Sequence, residues 1–139
     1  MCSPSVYRRQ AESNEQTALA AKNGFPDWAV IMCFYAALHW VNDYAFHQRE
    51  IEELEGTDDK DSSQNLHKLR RLYVKKISRI NNWRDLEEAY ELLFRASMTA
   101  RYLRGLESLN RTAREHYSNN KSFVQNCFDY LAIVKSRLS

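Results

Sequence analysis

Lys68, Arg71, Lys75 and Arg79 recur about one helical turn apart, in a stretch from Leu66 to Ile80 that contains no acid. That spacing places all of them on one face of a helix. A cationic face of this kind can follow the phosphates of a nucleic-acid backbone. It can equally bind an acidic partner or the chain's own acidic segment, or simply face water. Aromatic residues for base stacking are sparse along it, since Tyr73 falls on the apolar side. His39 sits on another helical stretch with Tyr35 one turn before it, placed to move a proton or to serve as a buried hydrogen-bonding residue. His67 opens the basic stretch and could bond across to a neighbouring helix. The acids Glu50, Glu52, Glu53, Glu55, Asp58, Asp59 and Asp61 cluster ahead of it. They lack the D-x-[DN]-x-[DN]-G spacing of a calcium loop, so no metal site is assigned and the segment is read as a solvated loop. No glycine-rich phosphate loop, G-x-S-x-G or H-E-x-x-H occurs, so no cofactor is expected.

The elements that must hold these residues are helices. The run Trp28–Val41 is apolar nearly all round, broken only by His39, and needs cover on most sides. Gly24, Pro26 and Asp27 mark its start. Ser3 as cap and Pro4 in the first turn begin an earlier helix that runs to about Lys22 and buries Tyr7, Ala11, Ala18 and Ala21. Ser62 or Ser63 caps the basic helix, whose apolar stripe is Leu66, Leu69, Tyr73, Ile77 and Ile80. A further helix starts near Asn82, buries Trp83, Leu86, Tyr90, Leu93, Ser97 and Ala100, and ends or kinks at Gly105. A weak helical beat follows through Leu106, Leu109, Ala113 and Tyr117. The last helix, capped by Asn119 or Asn120, turns Phe123, Val124, Cys127, Phe128, Leu131, Val134 and Leu138 inward.

The 139 residues fit one domain, residues 1–139, and 44% hydrophobic content supports a real core. Three glycines and two prolines are too few for a sandwich or barrel. The expected fold is all-α, an up-and-down bundle of four to five helices. A net charge of +2 does not by itself mark a nucleic-acid binder. Cys2, Cys33 and Cys127 are odd in number and far apart, which predicts free thiols and a cytoplasmic setting. No secretory signal is seen, and the apolar run falls short of the roughly 20 residues that span a bilayer.

Three segments, in order, resemble the HEPN superfamily of helical bundles. The first is Phe34-Tyr35-Ala36-Ala37-Leu38-His39; the second is His67 with Leu69 and Arg70; the third is Ser97-x-x-Ala100-Arg101-Tyr102. The resemblance covers about residues 5–135. It implies a dimeric bundle that acts either as a metal-free ribonuclease or as a non-catalytic partner of nucleotidyltransferases and other effectors. In the nuclease members an arginine a few residues ahead of a histidine forms the site, the arginine steadying phosphate charge and the histidine moving the proton of the 2′-hydroxyl. Aligned on Tyr102, Arg95 takes the arginine position, and Ala100 stands where the histidine belongs. Alanine can move no proton, so that position speaks against nuclease chemistry. Arg111-Thr112-Ala113-Arg114-Glu115-His116 restores the spacing further on, with Arg111 and His116 as a candidate catalytic pair or a solvated segment before the last helix.

The expectation from sequence is a HEPN-like binding or regulatory module in a toxin–antitoxin or defence setting, acting with RNA or with a partner effector such as a nucleotidyltransferase. A homodimer would help to cover the apolar helix. A metal-free endoribonuclease and a purely structural interaction domain are the alternatives.

Overall fold

Helix α2 (Pro26–His47) is the hub of the molecule: 14 of its 22 residues are buried, and it touches each of the other α-helices. The computed structural model describes residues 3–55 and 62–139, with side chains in the second stretch described from residue 66. Around α2 lie α1 (Val6–Ala21), α3 (Ser62–Asn81), α4 (Arg84–Tyr102), α5 (Ala113–Ser118) and α6 (Lys121–Leu138). Short 3-10 turns occupy Ile51–Leu54 and Glu107–Leu109, and no strand occurs among the described residues. The fold is an all-α helical bundle. Six α-helices occur among the described residues, one more than expected, and the six-residue α5 falls at the end of the weak helical beat through Ala113 and Tyr117. Thr112 makes it possible with a capping box: its hydroxyl accepts from Glu115 N (3.1 Å), and Glu115 accepts from Thr112 N (3.0 Å).

Cover for α2 comes from within one chain. Small residues let α1 approach closely, with Ala11 and Ala18 fully buried. Helices α4 and α6 close other sides with Leu86, Tyr90, Leu93, Val124, Leu131 and Val134. Burial of this helix therefore requires no second copy. Its greasy run is also not buried to its end, since Trp28 is 53% exposed. Of the other aromatic residues, Phe34, Trp40 and Tyr90 are core, whereas Tyr44 and Trp83 are half-buried. Cys33 and Cys127 are buried free thiols, and burial raises both, Cys127 to about 12, so neither is a thiolate at neutral pH.

Several boundaries differ from the sequence reading for local reasons. Ser5, not Ser3, caps α1; its hydroxyl accepts from Arg8 N (3.0 Å) and donates to the buried Asp43 carboxylate (2.6 Å). Pro4 therefore precedes the cap. Helix α4 ends on Leu103, which takes the left-handed conformation (φ 59°) before Gly105 is reached. Asn120 stands at the start of α6 but spends its amide on His116 O (2.6 Å), closing α5 rather than capping α6. Phe123, Leu66 and Ile80, expected to face inward, are exposed. The acidic segment begins as structure rather than a solvated loop: Leu54 is fully buried, Glu50 accepts from Tyr73 Oη (2.9 Å), and Lys76 pairs with Glu53. Cys2, the acids Asp58, Asp59 and Asp61, and the choice between Ser62 and Ser63 as cap fall outside the described residues.

Candidate functional site

A buried polar chain fixes where α3 sits. Arg70 Nε donates to Asn42 Oδ1 (2.9 Å), and its Nη1 donates to the carbonyls of Leu54 (3.2 Å) and Leu66 (3.0 Å). Asn42 in turn lies 3.2 Å from His39 Nδ1. Since Asn42 can offer its amide N–H there, His39 is held as a neutral acceptor. Burial and then the Arg70 charge push its pKa below the ordinary histidine value. His39 thus joins α2 to α3 as a structural residue and lines none of the clefts described below.

Arg70 thus ties the early turns of α3 to α2, and a cleft of about 530 Å³ opens between those turns and the last turn of α4. Lys68 and Arg71 reach it from α3, and Arg101 and Arg104 from the end of α4 and the residues just beyond. Phe94 and Met98 line it as apolar surface, and His67 and Tyr102 complete it. No carboxylate lines the cleft among the described residues. Arg71 lies over the Phe94 ring at 4.3 Å and donates to both Glu91 carboxylate oxygens through Nε and Nη2. Among the described residues Lys68, Arg101 and Arg104 have no carboxylate within ion-pair distance. The described lining is consequently net positive in a concave, partly apolar setting, where charge is felt more strongly than on an open surface.

Arg101 organises the cleft's mouth. Its Nη2 donates to Tyr102 Oη (2.8 Å), and its guanidinium lies 5.5 Å from the Tyr35 ring centroid. His67 packs among Phe34 (5.6 Å), Phe94 (5.9 Å) and Tyr35 (6.3 Å). Its Nδ1 is buried without a partner, leaving Nε2 as the ring nitrogen able to meet a ligand. Burial, followed by the charges of Arg101, Arg70 and Arg71, lowers its pKa and keeps it neutral at pH 7. A neutral imidazole beside these guanidiniums can donate to an anionic oxygen without itself demanding a counter-charge.

The remaining sequence candidates are placed elsewhere. Lys75 and Arg79 do not line the cleft, and Arg79 lies 3.5 Å from Glu87. The basic stripe therefore divides: its start opens into the cleft, and Arg71 and Arg79 tie α3 to carboxylates of α4. Arg95 is 71% exposed, 3.7 Å from Glu91, and outside the cleft. Ala100 is buried on the core side of α4. His116 lines a different cavity of about 300 Å³ with Thr99, Tyr117, Phe123 and Tyr130, and Arg111 is not among its lining residues. The His116 ring packs edge-on against Tyr117 at 4.8 Å, and burial followed by the Arg111 charge lowers its pKa. Arg111 thus acts on His116 through charge and lines neither that cavity nor the cleft.

Sequence reasoning missed Arg104 and gave His67 no ligand-facing role. The turn at Leu103 changes the chain's direction after α4, so helical periodicity does not place Arg104. For His67 the available signal was its position one turn ahead of Arg71, next to Lys68. Comparison with family models, curated proteins and solved structures finds no match to this chain. No helix among the described residues is long and apolar enough to cross a membrane.

Proposed function

We propose that this chain is a HEPN-like module that binds RNA in the cleft between the start of α3 and the end of α4. One observation carries the reading: cations from two separate helices converge on one concave surface from which acids are absent among the described residues. Lys68, Arg101 and Arg104 supply phosphate contacts. The Tyr102 ring, 57% exposed, offers a stacking surface for a base. The test is RNA affinity measured across a salt series. Lys68→Gln, Arg101→Gln and Arg104→Gln should each weaken binding and lower the slope of log affinity against log salt by about 0.7 to 1. Lys75→Gln and Arg95→Gln, outside the cleft, should change neither. Equal effects from all five substitutions would mean diffuse surface attraction and would end the proposal.

A second reading, metal-independent strand cleavage, is favoured by neutral His67 lying among Arg101, Arg71 and Tyr102. In that chemistry the imidazole takes the 2′-hydroxyl proton as the 2′-oxygen attacks phosphorus; the bond to the 5′-oxygen breaks, that oxygen leaves as a hydroxyl with a proton from water, and the guanidiniums steady the charge that develops on the phosphate. RNA cut in the presence of chelator by the parent chain, and left intact by His67→Gln, supports it. Intact RNA with the parent chain leaves the module as a binder.

A further inference from the structure

We propose that the cleft selects a terminal phosphate, a phosphomonoester at the end of an RNA strand, over the internal phosphodiesters of the same strand. The inference rests on the RNA reading above and names the part of the RNA that is held.

An internal phosphodiester carries one negative charge, whereas a phosphomonoester carries about −1.5 to −2 at pH 7 and presents three strong acceptor oxygens. Lys68 stands on one wall of the cleft, and Arg101 and Arg104 on the other, none paired with a carboxylate among the described residues. A single internal phosphate leaves most of that charge uncompensated. A terminal phosphate matches it more closely and has oxygens enough to meet both walls.

A groove that tracks a strand presents its cations in a line, one phosphate after another. Here the line is broken: Lys75 and Arg79 lie outside the cleft, and Arg71 and Arg79 are tied to Glu91 and Glu87. Lys68 faces Arg101 and Arg104 across a single cavity of about 530 Å³ with Phe94 and Met98 in its lining.

His67 Nδ1 is sealed among aromatic rings, so Nε2 is the ring nitrogen left to meet a phosphate oxygen. A phosphomonoester titrates near pH 6 and can share a proton with an imidazole, which a diester, fully ionised at that pH, does much less readily.

The experiment compares RNA oligonucleotides of one sequence with a 5′-phosphate, a 3′-phosphate or hydroxyl ends, alongside 5′-AMP and inorganic phosphate, by fluorescence competition against the full chain. A phosphate at one end should tighten binding at least about tenfold, the scale of one added charge-assisted hydrogen bond. That preference should collapse in Arg104→Gln and shrink in His67→Gln, both checked for retained helicity by circular dichroism. Lys68→Gln, on an exposed position, repeats the test should either of those fail to fold. Equal affinity for phosphorylated and hydroxyl-ended RNA would overturn the inference and leave the cleft an RNA site. Inorganic phosphate or 5′-AMP binding as tightly as the phosphorylated strand would show a small-molecule phosphate site and overturn RNA ends as the source. No binding of any oligonucleotide would remove the RNA reading itself.

Discussion

The Arg101 guanidinium lies 5.5 Å from the centre of the Tyr35 ring, joining the last turn of α4 to the middle of α2. That contact, with the Arg101–Tyr102 hydrogen bond of 2.8 Å, holds a cation at the mouth of the cleft without neutralising it. An aromatic face orients a guanidinium while leaving its charge available to an anion, which a carboxylate partner would not do. A cleft held open in this way is sensitive to filling as well as to charge. Met98→Trp, which adds bulk to the lining and leaves every cation in place, should lower RNA affinity at least about tenfold, on the scale of a single lost anchoring contact. Fluorescence anisotropy with a labelled oligonucleotide reads the change; unchanged affinity would move the site elsewhere.

Arg111→Ala and His116→Ala should leave RNA affinity and its salt slope as they are in the parent chain, because neither residue lines the cleft. A loss of affinity in either variant, with the fold intact, would shift attention to the cavity beside α5.

The tie between Ser5 and Asp43 predicts a stability effect far from the cleft. Ser5→Ala removes the cap of α1 and one of the two partners of a carboxylate that is 2% exposed, the other being His47 Nε2 at 3.2 Å. Loss of a cap and of a hydrogen bond to a buried charge should together cost about 2 kcal/mol. Urea denaturation measures this as a lower midpoint at unchanged slope.

Stability should fall as pH drops below neutrality. His39, His67 and His116 all have native pKa values below the ordinary histidine value, burial being the first cause of each. The unfolded chain protonates these rings as pH passes about 6.5, while the native state resists. In that window the unfolded state binds more protons, so stability is complete above about pH 6.5 and is lost on the way down to the native values. Urea midpoints at pH 7.5 and pH 5.5 should show the fall, and His39→Gln should reduce it. A flat profile would mean that the rings are solvated.

Leu103 offers a stabilising substitution. Its φ of 59° lies in the left-handed region, which costs an ordinary residue about 1 to 2 kcal/mol, and its side chain is 42% exposed. Leu103→Gly removes that strain at the price of a more flexible unfolded chain, for a net gain of up to about 1 kcal/mol. Thermal melting should shift upward by a few degrees; a downward shift would show that the exposed leucine packs more than its burial implies.

Much of the fold was legible because it is written in local periodicity. The run from Trp28 to Val41 announced a helix that other helices must cover, and α2 is that helix. The inward faces of α4 and α6 follow from residues spaced at one helical turn, and the burial of Cys33 and Cys127 follows from their apolar neighbours. Caps were less legible: Ser3 and Ser5 carry the same side chain, and what separates them is Asp43, which lies close only after α1 has docked on α2.

The cleft lay beyond reach of periodicity for a related reason. The sequence by itself determined which residues are cationic and which face of α3 they share. It could not say that Glu91 and Glu87 would draw Arg71 and Arg79 toward α4, or that Arg101 and Arg104 would stand opposite Lys68. Those relations depend on how two helices slide and rotate against each other. Core packing sets that register, with Arg70 tied to Asn42 of α2 and Arg71 tied to Glu91 of α4. Helix type is a property of neighbours along the chain. A binding cleft is a property of neighbours across it, and only tertiary packing decides which those are.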